Sequence, residues 1–313
     1  MQKKLLRIHL SALLLMAISL AVAKAESLHD MSRDLQRSAT PIKVQKTTGP
    51  FSFIDDKGIL YTLSELDTPE SIAPDTAQAL SNLTDKKNCT LYQTKNTQIG
   101  RINRMGEILG QFECGPDLVW LQEFLIGKGL ARVRTTPDNH DLASTLLKME
   151  HTARTRKLGL WSKPENNILT PDTAAQHINS FQIIEGTIYT VAQTHDIIYL
   201  NFSRDWKTDF TIGVPNKLLR AFSTAHINLQ SLKGQPVRVR GWIREYNGAY
   251  IELDHIEQLE ILSDNTHADY SHDVLPAQKS AEPSIGMHSI KTPIPPTVEK
   301  PKTPEIPPAI SKN

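Results

Sequence analysis

The chain has 313 residues, with 35 Lys and Arg against 34 Asp and Glu, 39% hydrophobic content and only 2 Cys. That length suits about two domains, and a charged content of 22% excludes collagen-like, coiled-coil and polytopic membrane classes. The near-neutral balance lacks the overall basic footprint that strong, sequence-blind nucleic-acid binding needs, although local basic patches stay open.

At the start, Lys3, Lys4 and Arg7 precede an apolar run from Leu10 to Val22, followed by Ala23-Lys24-Ala25. A basic region, a run too short to span a bilayer comfortably and a small-x-small site predict a cleaved secretory signal over residues 1–25 and a periplasmic product with no stable membrane span. Cleavage after Ala25 removes four bases (Lys3, Lys4, Arg7, Lys24) and no acid, taking the formal charge from +1 to −3. Residues 26–42 are polar and patternless and read as a flexible leader. At the other end, 264–313 turns to Pro, Ser, Thr, Lys and His, with Pro293, Pro295, Pro296, Pro301, Pro304, Pro307 and Pro308 close together. Such a composition predicts a disordered, partly polyproline tail.

Between these ends lie two blocks, 43–163 and 181–263, joined by a polar linker over 164–180. In the first, Phe51 and Phe53, then Asp55-Asp56-Lys57-Gly58, then Ile59, Tyr61 and Leu63 form a hairpin signature. A short helix follows, with Asp75 as its cap and Ala77, Leu80 and Leu83 at helical spacing. Strands are expected near Cys89 to Gln93 and from Ile108 to Cys114, then helices over Leu118 to Leu130 and His140 to Leu158. The second block reads three strands (near Gln182 to Val191, Ile197 to Phe202, Phe210 to Val214), a helix near Lys217 to Ala225, and two strands (Pro236 to Ile243, Ala249 to Leu253). That order fits a small closed barrel of the OB type or a split sandwich.

Cys89 opens one strand and Cys114 closes the next, so a turn near residue 101 sets them side by side. In an oxidising compartment such a pair closes into a disulfide; the alternative is two buried thiols. No Cys-x-x-Cys, His-Glu-x-x-His, EF-hand, Gly-x-Ser-x-Gly or phosphate-cradling glycine spacing occurs.

The segment richest in chemistry is Leu66-Asp67-Thr68-Pro69-Glu70, a strand end carrying two acids and a hydroxyl. Asp67 suits a hard cation, and Glu70 suits proton abstraction from water. The same residues also suit the start of a helical turn, and residue types alone leave both readings open. In the fourth strand of the second block, Arg238, Arg240, Trp242 and Arg244 share one face. That face reads either as a single-strand binding platform or as a solvated exterior.

The first block resembles the staphylococcal nuclease (thermonuclease) family. Leu66 to Glu70 is similar to its strand-end active-site motif. Arg104-Met105-Gly106-Glu107-Ile108-Leu109-Gly110 is similar to its Arg-x-Gly-Arg-x-Leu-Gly segment. Leu121-Gln122-Glu123, Gly129-Leu130-Ala131, Glu150, Ala153 and Gly159-Leu160-Trp161 are similar to its closing helices. The resemblance implies a five-stranded OB barrel with three helices, hence an α+β protein of two tandem OB-type barrels. Leu200 to Thr211 and Val237 to Arg244 resemble the second module of the family's exported proteobacterial subgroup.

The family's chemistry implies calcium held by two acids, with Asp67 as one ligand, Thr68 lending its carbonyl and Glu70 as general base. Both family arginines are replaced, by Thr62 and Glu107, and no acid stands in Thr48-Gly49-Pro50-Phe51, where the second metal ligand belongs. Losing one preorganised donor to a transition-state anion costs about 10²- to 10³-fold. The expectation is therefore a degenerate site in a protein that binds nucleic acid, single-stranded by preference, or another anionic or protein partner. Arg101 and Arg104 are the candidate replacement clamp, under which the chain is instead an active calcium-dependent nuclease; an envelope protein-interaction scaffold is the third reading.

Overall fold

The computed structural model describes residues 28, 33, 35–205 and 209–262. The expected signal (1–25) and tail (264–313) lie outside them. All described residues belong to one compact unit.

The first module is built from β1 (Leu35–Arg37), β2 (Ile42–Thr47), β3 (Ser52–Asp55), β4 (Leu60–Leu63), β5 (Leu66–Asp67), α1 (Ala73–Thr84), β6 (Asn88–Thr94), β7 (Ile108–Cys114), β8 (Val119–Trp120), α2 (Leu121–Gly127), β9 (Arg132–Val133) and α3 (Ala143–Thr155). Pairings β2 to β3, β3 to β4, β4 to β7, β7 to β6 and β6 back to β2 close a five-stranded barrel. Only the β4 to β7 pair is parallel, and α1 fills the connection before β6, which is the OB order. The strands alternate in burial, as in β3 and β4, where Phe53, Tyr61 and Leu63 point inward. Phe53, Tyr61 and Phe112 meet at the barrel centre with ring centroids 5.0 to 6.2 Å apart.

The hairpin turn depends on Asp55, whose Oδ1 accepts from the amides of Lys57 and Ile59. Gly58 supplies the left-handed residue, with φ +80°. Cys89 and Cys114 are direct cross-strand partners and form a disulfide. Helix α1 begins at Ala73 with Ile72 as its cap position, so Asp75 lies within the first turn instead of capping it. The two glycine motifs of the helical region meet: Gly129 O accepts from Leu160 N at 2.8 Å. A Cβ on Gly159 would lie 2.2 Å from Gly129 O, so the approach admits no side chain there.

The second module comprises β10 (Phe181–Thr187), β11 (Thr190–Gln193), β12 (Ile197–Asn201), β13 (Thr211–Pro215), α4 (Leu219–Thr224), β14 (Pro236–Trp242), β15 (Arg244–Glu245), β16 (Ala249–Glu252) and β17 (Leu259–Ile261). Here β11 pairs β12, β12 pairs β13, β13 pairs β16 in parallel, β16 pairs β15, and β14 returns to β10. Counting β10 with β11 and β14 with β15 as bent strands, the ring repeats the order of the first barrel. This is a second small barrel-like module in a mixed α+β protein. Strand β17, which pairs β14, was not expected.

Two connecting segments are more ordered than their composition suggests. Within the expected leader, Leu28 is fully buried in the first core, and β1 adds to the barrel edge through β6. The expected linker carries short 3₁₀ turns at Pro164–Asn166 and Pro171–His177, buries Ala174 in the second core and bridges Leu169 to Ile184. Apolar residues spaced too irregularly to mark a helix or strand still find a hydrophobic surface to cover.

Candidate functional site

Strand β5 ends in the acid motif and pairs with β9, which sets Asp67 opposite Arg132. Arg132 Nε donates to Asp67 Oδ2 at 2.7 Å, and the Arg134 guanidinium stands 3.7 Å from Oδ1. Both oxygens of the carboxylate therefore face cations supplied by the chain itself. Arg132 is buried, and its second nitrogen donates to the carbonyl of Phe181, in the first strand of the second module, at 2.7 Å. Its guanidinium also lies over the Phe181 ring at 5.1 Å. Neither arginine was singled out from the sequence. The signal was present in Arg132-Val133-Arg134, an alternation that puts two bases on one side of a short strand.

Thr68 does not face a ligand with its hydroxyl, which donates to the Leu130 carbonyl at 3.0 Å, a carbonyl it shares with Thr76. Glu70 is exposed in the turn that enters α1, where the Pro69 carbonyl accepts from the amides of Ile72 and Ala73. The motif leads into α1, but none of its side chains caps the helix, whose cap position is Ile72.

The two positions that lack the family arginines are joined to each other. Thr62 Oγ1 donates to Glu107 Oε2 at 3.0 Å, and Asn103 Nδ2 donates to the same oxygen at 2.7 Å. Asn103 Oδ1 also accepts the amides of Met105 and Glu107, which folds the turn over this carboxylate. Neutral donors therefore hold this carboxylate.

Of the replacement clamp, Arg101 is spent on structure: its Nε and Nη2 donate to the carbonyls of Thr94 and Asn96 and to Gln36. Arg104 is exposed on the turn beside Glu107.

The strand β14 platform needs correction at two of its four residues. Arg240 is 1% exposed and forms a forked pair with Glu150 of α3, at 3.0 and 3.1 Å, while also donating to Glu260 at 2.8 Å and the Val133 carbonyl at 2.9 Å. Arg238 is buried between Glu185 and Glu260. At Arg238 and Arg240 this face of the second module is the seam against the first module. Burial disfavours the Arg240 charge, but Glu150 and Glu260 more than offset that cost, and its pKa is raised. Trp242, the last residue of β14, and Arg244, the first of β15, emerge from the seam and are exposed.

A second polar cluster closes the seam. His140 pairs with Glu257 at 3.1 Å, Thr135 Oγ1 meets His255 Nε2 at 2.6 Å, and His255 Nδ1 meets Asp254. Beside it, Glu65 is held at φ +67° with its side chain buried, bonded to Gln111 Nε2 at 3.1 Å. Burial, reinforced by Asp141, pushes the Glu65 carboxyl up to about 8, against the opposing pull of His140.

The residues present do not fit the family's calcium. Asp67 is already neutralised, Thr48 to Phe51 offers no second acid, and among the described residues no cluster of three or more His, Cys, Asp or Glu is arranged to hold a metal.

Residues 61–163 match the family model described as Staphylococcal nuclease homologue. That segment is similar to a staphylococcal nuclease domain. No curated protein matches it. The matched segment runs from Tyr61 of β4 to the turn after Trp161 and so contains Thr62, Asp67, Glu70 and Glu107. Staphylococcal nuclease domains are in general calcium-dependent and have a nucleic-acid-binding fold.

Proposed function

We propose that this protein is an exported, periplasmic nucleic-acid-binding protein whose nuclease site has been converted from cleavage to structure. The observation that carries the reading is the pairing of Asp67 with Arg132 at 2.7 Å and Arg134 at 3.7 Å. A carboxylate bonded to the buried Arg132 and flanked by Arg134 is a poor ligand for a cation, since binding one would leave the buried Arg132 without its partner. The hydrogen bond between Thr62 and Glu107 supports it. Two missing phosphate clamps each remove about 10²- to 10³-fold of rate, and Glu107 adds repulsion toward the substrate.

The test is incubation of the purified full chain with single- and double-stranded DNA and RNA, in calcium and in EDTA. Retarded but intact nucleic acid in both conditions supports the reading. Rapid shortening that requires calcium overturns it in favour of a working nuclease. Absence of both retardation and shortening favours a scaffold for protein contacts.

A further inference from the structure

The module seam ends at a surface that neither barrel makes alone. Arg134, from β9 of the nuclease domain plus one residue, keeps 46% of its side chain exposed. Its guanidinium lies 5.9 Å from the Trp242 ring of the second module and 5.5 Å from the Phe181 ring. Phe181 and Trp242 are themselves direct cross-strand partners in β10 and β14. Trp242 is 47% exposed. Beyond it Ile243 is fully buried, and Arg244, Glu245 and Tyr246 are exposed, the last at 56%. The result is an aromatic and basic stripe running out of the seam, headed by a half-exposed arginine whose approach to Asp67, at 3.7 Å, is longer than a hydrogen bond.

Over Asp67, Arg132, Arg134, Arg244 and the exposed Glu245 beside it, three bases against two acids, the formal balance is +1. Asp67 is one carboxylate against Arg132 and Arg134, and Arg132 is buried with its nitrogens engaged. One guanidinium charge, that of Arg134, is therefore presented to solvent beside an indole face, with Arg244 two residues further on. Arginines interleaved with aromatic side chains suit a flexible anionic strand whose bases are free to stack, and suit a duplex poorly because its bases are already stacked.

We propose that single-stranded nucleic acid binds across this junction, with Arg134 on a phosphate, Trp242 and Tyr246 stacking bases, and Arg244 following the backbone. This rests on the nucleic-acid reading given above and adds to it the place and the strandedness. It also accounts for the rigid seam: Arg240 and Glu150 hold the two halves of the surface in register.

The experiment is fluorescence anisotropy of the full chain with a labelled oligothymidylate over a range of salt, with unlabelled duplex as competitor. Trp242→Ala is expected to weaken binding about five- to 150-fold, the range for one lost stacking platform. Arg134→Gln is expected to lower the magnitude of the slope of log K against log salt by about 0.7, one single-strand phosphate contact. Tyr189→Ala, which removes an exposed aromatic just past the far end of β10, is expected to bind as wild type does. Should Trp242→Ala fail to fold, the Arg134→Gln salt slope and quenching of wild-type tryptophan emission by the oligonucleotide carry the decision. Wild-type binding that both variants leave unchanged, or tighter binding to duplex, overturns the platform while the nucleic-acid reading stands. No binding by the wild type overturns both.

Discussion

Replacing Arg240 with Ala removes the cation at the centre of the seam. Its guanidinium makes four hydrogen bonds of 2.8 to 3.1 Å, to both oxygens of Glu150, to Glu260 and to the Val133 carbonyl, all inaccessible to water. The variant leaves Glu150, fully buried, to Arg154 at 3.2 Å and the Val133 amide, and leaves Glu260 to Arg238. Deleting one partner of a buried ion pair costs about 3 to 5 kcal/mol, because the remaining charge stays desolvated. For a cooperative unit of this size each kcal/mol lowers the midpoint by about 2 to 4 °C, so the expected drop is about 6 to 20 °C. Circular dichroism melts measure it directly. The cycle with Glu150→Gln, which keeps an acceptor for the Val133 amide, should show a coupling energy of about 0.5 to 3 kcal/mol. A midpoint lowered by less than about 2 °C, or strict additivity with Glu150→Gln, refutes the claim that the two barrels are locked through this pair.

Glu65 makes stability pH-dependent. Its folded carboxyl titrates near 8 and its unfolded one near 4.5, so through that window the native state holds the extra proton and stability falls as pH rises. Glu65→Gln should flatten this fall and raise stability at the alkaline end, as read from denaturant midpoints. His140 acts with the same sign: its hydrogen bond to Glu257 raises its pKa, against partial burial, so the stabilisation from its charge is present at low pH and lost as pH rises through the folded value. His140→Gln should remove that component in the same titration. Reduction, or Cys89→Ala with Cys114→Ala, opens a loop of sequence separation 25 and should cost about 3.5 kcal/mol by the chain-entropy relation. Equal denaturation midpoints for reduced and oxidised protein would contradict it.

Local pattern carried the fold a long way, and its failures share one cause. The Asp55 to Gly58 turn, the facing cysteines and the two strand-and-helix orders are encoded within short windows, where glycine, alternation and spacing act directly. The fate of Arg238 and Arg240 is not. Alternation correctly put them on the face opposite Val237 and Val239, but whether water, nucleic acid or another module covers that face depends on Glu150, 90 residues away in the chain. Asp67 is the same case. Its type and position marked it as a metal ligand, and only the pairing of β5 with β9 brings Arg132 opposite it. The replacements at Thr62 and Glu107 were visible in the sequence, while the hydrogen bond joining them, across a separation of 45 residues, was not. The packed leader and linker were missed because a lone Leu28 or Ala174 has no periodicity to reveal it.

The central claim is that Asp67 serves two arginines and no longer a cation. Calorimetric titration of the full chain with calcium, beside Asp67→Ala, tests it most directly. The account predicts no saturable heat in wild type and an unchanged trace in the variant. Stoichiometric calcium binding by wild type that Asp67→Ala abolishes would contradict it.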